Sequence, residues 1–298
     1  MKSTWSILQS AGYAPHSKVW QVRNPKQMQP EQERVFATDL SGLKREFDLN
    51  IVKQQLAAYN YSGALATIQD SALSNGLVTA LLNYGRCRSS FDFDGAENAI
   101  GEYKDSLSNE LVSDIGNLRQ KDERSLLKEV YFSAKISIEN REYCDFLIAV
   151  SQFQENILRF FLAQIGLKVP SDIRGMEDFW ERVRQHEDRS IYLKLEQSNN
   201  RAISLRGNPN IPTMIEIIEL SNKHARFLPK IAKLKEYCDR RNKYIHRLEG
   251  VSHIDDAQAV LDNIKNLLQQ LTKIPDTNPF ERLNQDILSQ LGINTRSA

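Results

Sequence analysis

From about residue 46 to the C-terminus, apolar side chains recur every three or four positions, the period of an amphipathic helix. Leu49, Val52, Leu56 and Tyr59 set it; Ala64, Leu65 and Ile68, then Leu77, Leu81, Leu82 and Tyr84, continue it. The same spacing runs through Leu107, Leu111, Ile115 and Leu118, then Leu126, Leu127, Val130 and Tyr131. Phe146, Val150, Phe153, Ile157, Phe160 and Phe161 give a strong apolar face that ends near Gly166. Residues 167–213 hold Pro170, Gly175, Gly207, Pro209 and Pro212 among many charges, which predicts short helices and a long loop. Thr213 to about Arg226 reads as a helix, and Pro229–Leu248 as another stopped by Gly250. Ser252-His253-Ile254-Asp255 has the form of a capping box. It precedes a helix on Ile254, Ala257, Val260, Leu261, Ile264, Leu267, Leu268 and Leu271, broken by Pro275 and Pro279. Phe280, Leu283, Ile287, Leu288 and Leu291 predict a terminal amphipathic helix.

The first 45 residues differ. Val19-Trp20-Gln21-Val22 and Arg34-Val35-Phe36-Ala37 predict two short strands around a polar, turn-rich stretch at 24–30. This is too little chain for a core of its own. The expected fold is all-α: a connector or irregular β segment over 1–45, a helical linker module over 46–140 and a helical bundle over 141–298. Within the linker, Tyr59-Asn60-Tyr61-Ser62-Gly63-Ala64 is echoed by Phe91-Asp92-Phe93-Asp94-Gly95-Ala96. Two copies are too few for a solenoid, so the echo predicts close packing between antiparallel helices.

One helix carries an anomaly. Ile231, Leu234, Cys238, Arg241, Ile245 and Leu248 form a stripe at helical spacing, with Arg241 where the pattern asks for an apolar residue. A guanidinium is costly to bury unpaired. Arg241 therefore sits at an interface edge, pairs with a carboxylate, or awaits an anion. Asn242 and His246 are a turn apart on a neighbouring face, where Asn242 could orient the imidazole. Arg240 and Lys243 add local positive charge.

These residue types suit RNA cleavage. An imidazole titrating near neutrality moves the protons when a 2′-hydroxyl attacks the adjacent phosphate. A fixed guanidinium stabilises the charge that gathers on the phosphoryl oxygens. The expected products are a 2′,3′-cyclic phosphate and a 5′-hydroxyl. No carboxylate cluster for two metals is visible in the sequence, and neither metal nor cofactor is expected. A competing reading is a capped core helix with an Arg–Glu pair and a surface His.

Composition narrows the field. The formal charge of +1, with 26% charged and 41% hydrophobic residues, describes a folded chain with no global pull on nucleic acid. Cys87, Cys144 and Cys238 are far apart and without CxxC, which argues for a reducing compartment and against a cysteine metal site. There is no signal-peptide pattern and no long apolar run, so a cytoplasmic protein without a membrane span is expected. P-loop, dinucleotide-fold and HExxH patterns are missing.

Arg241-Asn242 followed by His246, late in a helical region, resembles the HEPN superfamily of ribonucleases. A long aromatic-rich first helix carrying Glu155, a variable middle, the motif helix and a closing helix resemble its layout. Residues 15–140, including Val19-Trp20-Gln21-Val22-Arg23-Asn24-Pro25, resemble the end of the sensor and the helical linker of CRISPR type III CARF-HEPN accessory ribonucleases. The resemblance implies a metal-independent endoribonuclease for single-stranded RNA in antiviral defence. It further implies a homodimer with a composite site in which Arg241 and His246 are catalytic and Asn242 orients. Arg240, Lys243 and Glu155 would contact RNA, with Glu155 reaching toward the motif Arg. No βαβ sensor precedes residue 45, so regulation by cyclic oligoadenylate is expected only through a sensor domain outside this chain. A toxin of a toxin–antitoxin pair and a non-catalytic helical scaffold are the alternatives. Elsewhere, His16 and His186 stand alone, His253 reads as part of a cap, and His224 sits in a basic helix end. The mixed-charge run 181–189 reads as exposed helix surface.

Overall fold

The computed structural model describes residues 19–22, 28–29, 32, 35–38, 41–170, 172–187, 190–198, 203–247 and 249–293. His16 and Leu248 fall outside them, as do Asp188 and Arg189 of the mixed-charge run. Among the described residues the fold is helical apart from one antiparallel pair, β1 (Val19–Val22) and β2 (Val35–Thr38), with Val19 opposite Thr38 and Val22 opposite Val35. The two strands stand where the sequence predicts them, the second one residue later.

The helices are α1 (Ser41–Ala57), α2 (Tyr61–Gln69), α3 (Gly76–Ser89), α4 (Phe93–Ala99), α5 (Asn109–Arg119), α6 (Glu123–Glu139) and α7 (Tyr143–Gln164). They continue as α8 (Met176–Arg184), α9 (Ser190–Gln197), α10 (Ile211–Ser221), α11 (Leu228–Ala232), α12 (Lys235–Arg247), α13 (Ala257–Gln269) and α14 (Pro279–Gln290). Short 3-10 turns lie at Gly101–Ser106, Ile173–Gly175 and Ala225–Phe227.

Four of the tight connections share one construction. Tyr59, Phe91, Lys121 and Arg141 are left-handed, with φ of 55°, 59°, 57° and 61°. The next amide bonds five residues back each time: Asn60 to Gln55, Asp92 to Cys87, Asp122 to Asn117, Glu142 to Ser137. This is a Schellman end, in which the last carbonyls of one helix are satisfied by the turn. At the first three turns the residue after the left-handed one also caps the following helix. Asn60, Asp92 and Asp122 accept from Gly63, Gly95 and Ser125. The echo in the sequence is therefore a repeated cap. Its glycine at 63 or 95 leaves room for the capping side chain, since a Cβ on Gly95 would stand 2.2 Å from the Asp92 carboxylate.

The chain forms two compact units, 1–112 with 280–298, and 113–279. These divisions differ from the boundaries at 45 and 140 drawn from the periodicity. In the first unit α2 lies between α1 and α3, and α4 packs on α3. Tyr61 is the joint. Its ring lies where a Cβ on Gly85 would be at 2.6 Å, and its hydroxyl donates to Asn284 of α14 at 2.9 Å. Asn284 in turn donates to Leu56 O at 2.7 Å, and Arg282 pairs with Glu110. The terminal helix thus belongs to this unit through side chains distant in sequence. Arg88, buried there, donates to Tyr84 Oη at 2.7 Å and lies over the Phe280 ring.

In the second unit α6 and α7 form an antiparallel pair, which is why the division falls before α6 instead of after it. α10 and α12 pack on α7, α13 packs on α6, and α9 bridges α8 and α10. The core runs from Leu127 to Leu268 and includes Phe146, Phe153, Phe161, Ile217, Ile231 and Ile264.

Candidate active site

The motif helix is not one helix. α11 ends at Ala232, α12 begins at Lys235, and Lys233-Leu234 form a turn between them. The periodicity could not reveal this, because the stripe keeps its spacing across the turn. Ile231, Leu234 and Cys238 are buried, as expected. Beyond Cys238 the stripe leaves the core: Arg241 is half-buried and Ile245 is 41% exposed.

α12 lies along α7, anchored by buried polar contacts. The Cys238 thiol donates to Gln154 Oε1 at 3.1 Å, and Gln154 Nε2 donates to Ile231 O at 3.2 Å. Burial pushes the thiol up to about 11, so it stays protonated at neutral pH. Tyr237 donates to Asp256, and burial with that carboxylate raises the phenol to about 12. Further along, the Cys144 thiol lies against Tyr244 and raises its pKa. Asp256 also replaces the expected capping box. α13 starts at Ala257 with Asp256 before it, its carboxylate engaged by Tyr237 and not by the helix amides. His253 pairs with Asp255 at 2.9 Å and meets the Tyr143 ring edge-on.

Arg241 is the singular residue. Its Nη1 donates to Asn242 Oδ1 at 2.8 Å, while its Nε is buried with no partner. No carboxylate among the described residues pairs with it. The spacing had suggested that Asn242 serves the imidazole; in the structure it is turned to the guanidinium. His246 is exposed, one turn beyond. Arg240 donates to His253 O at 3.3 Å, and Lys243 is exposed. Glu155 accepts from Arg159 at 3.0 Å within α7 rather than from Arg241. Arg159 also reaches Asn208 at 3.1 Å and lines a groove of about 570 Å³ with Lys121, Lys168 and Arg182. Neither Arg241 nor His246 lines that groove. His224 stacks on Phe161 at 4.7 Å, and burial together with Arg226 and Lys223 lowers its pKa.

Among the described residues no cluster of three or more His, Cys, Asp or Glu could hold a metal ion. Among them, too, no helix is long and apolar enough to cross a membrane.

The bundle of the second unit, with Arg241, Asn242 and His246 on a helix laid along its longest helix, is that of a HEPN domain. Residues 116–288 match the family model described as the Cas_Csm6 HEPN domain, and the chain belongs to that family. Among solved structures it is similar to Enterococcus italicus Csm6 bound to cyclic hexa-2′-fluoro-hexa-dAMP, with a TM-score of 0.56 and 13% identity. That match covers 96% of this chain and 70% of the other, and at this identity it speaks for the fold. No curated protein matches.

Proposed function

We propose that the chain is a metal-independent endoribonuclease of type III CRISPR antiviral defence, cutting single-stranded RNA by 2′-hydroxyl attack. The observation that carries this reading is the Arg241 guanidinium. It is half-buried, steadied by Asn242, without a carboxylate, and holds one buried N–H in reserve. A phosphodiester supplies the missing acceptor and the charge. Among the described residues no carboxylate forms the intramolecular salt bridge at Arg241 that a mere scaffold would call for.

In this reading the exposed imidazole of His246 moves the protons of attack and departure, and Arg240 and Lys243 add positive potential for the RNA backbone. Arg241 and Ile245 lie on the part of the stripe that leaves the core. A second copy of the chain covers it and brings two motifs to one cleft. The bound cyclic hexanucleotide analogue belongs to the E. italicus protein. For this chain we assign any such control to a sensor separate from unit 113–279.

The test is cleavage of single-stranded RNA in EDTA by wild type and His246→Ala. The wild type is expected to leave 2′,3′-cyclic phosphate ends and the variant to leave RNA intact. Equal activity in both removes the proposal.

A further inference from the structure

Gln154 is out of character. It sits three residues before Ile157 and four after Val150, on the apolar face of α7, and is 1% exposed. An amide buried there costs free energy unless both of its ends are bonded. Both are, and both bonds go to the motif segment. Nε2 donates to Ile231 O and Oε1 accepts from the Cys238 thiol. A second amide acts one residue earlier, where Asn263 Nδ2 of α13 donates to Lys230 O at 3.0 Å.

In an unbroken helix those two carbonyls would take the amides of Leu234 and Lys235. Here Leu234 N–H falls back three residues, to Ile231 O at 3.0 Å. Insertion of a side chain into the ladder is a recognised cause of helix breaks, and two side chains from two different helices do so at adjacent carbonyls. Proline and glycine play no part, since the break is at Lys233-Leu234.

The break is a lever. At about 1.5 Å per residue, Arg241 lies about 12 Å beyond it and His246 about 20 Å beyond. A bend of about 10° therefore moves them by about 2 Å and about 3 Å, and a misplacement of about 1 Å can cost about 100-fold in rate. We propose that Gln154 and Asn263 are positioning residues: their amides hold the ladder open between α11 and α12 and so aim Arg241 and His246. This rests on the ribonuclease reading for its consequence, but not for the break itself.

The experiment uses Gln154→Met, Asn263→Leu and the double variant in the full chain. RNA cleavage is measured at saturating and limiting substrate, and amide hydrogen exchange is measured over 230–240. Gln154→Met keeps volume and apolar packing. The expected result is a kcat lower by about 10- to 100-fold with KM within about twofold. Slower exchange of the Leu234 and Lys235 amides should accompany it as the ladder closes. A merely structural role would lower the folded fraction and speed exchange throughout. An unchanged kcat with a closed ladder overturns the positioning role and leaves the ribonuclease reading standing. Unchanged exchange overturns the amide-held break. Wild type that cleaves no RNA overturns the ribonuclease reading and the positioning role with it, while the exchange of the Leu234 and Lys235 amides still decides the amide-held break.

Discussion

The tight helix turns and the outer half of the motif helix treat polar groups in opposite ways. At Asn60, Asp92 and Asp122 each cap is matched to an amide, and the last carbonyls of the preceding helix are taken by the turn. At Arg241 a buried N–H is left over, and Ile245 beside it is exposed. Saturated local bonding makes rigid joints. Unsaturated bonding on a rigid helix makes a place for something else, at some cost in stability.

The largest expected effect tests that cost. Arg241→Leu should lower RNA cleavage by about 100- to 1000-fold and raise Tm, because the orphaned N–H is gone. A lower Tm would mean that the guanidinium serves the fold. Next, Gly85→Ala puts a Cβ against the Tyr61 ring and should destabilise the first unit by about 1–3 kcal/mol, read by denaturant unfolding. If stability is unaltered, the Tyr61 joint is not the close packing described.

A smaller effect goes the other way. Arg141 is exposed and left-handed at its turn, so Arg141→Gly should stabilise by about 0.5–1 kcal/mol. Destabilisation there would show that the arginine side chain, not the turn, is what matters. The smallest concerns His224. Its folded pKa is depressed from 6.5, so the native state binds the proton more weakly than the unfolded chain. Its contribution is therefore present above about pH 6.5 and lost as the pH falls below it. Tm should drop between about pH 7.5 and about pH 5.5, and His224→Phe, which keeps the stack on Phe161, should flatten that slope.

Periodicity was enough to read most of the longer helices, the strand pair and the misplaced Arg241, because each is written in neighbouring residues; the helix expected to run to about Arg226 stops at Ser221, where Asn222 turns left-handed. It could not show the break at Lys233-Leu234, since the amides that hold it come from Gln154 and Asn263 on other helices. The one hint was Gln154 itself, a polar residue in an apolar slot. The capping box at Ser252 failed for a related reason: Asp256 is claimed by Tyr237, and the helix starts at Ala257. Asn242 was expected to serve His246, but in this structure the nearer guanidinium takes it. The place of α14 was illegible too, because Asn284 meets Tyr61 and Leu56 across most of the chain.

The central claim is that Arg241 keeps an N–H for a phosphate. The most direct measurement is the Arg241 Nε–Hε resonance by NMR during titration with 2′-O-methyl RNA, which binds but cannot be cut. The account predicts a downfield shift that saturates with binding and is unaffected by His246→Ala. A resonance that stays put while RNA binds would contradict it.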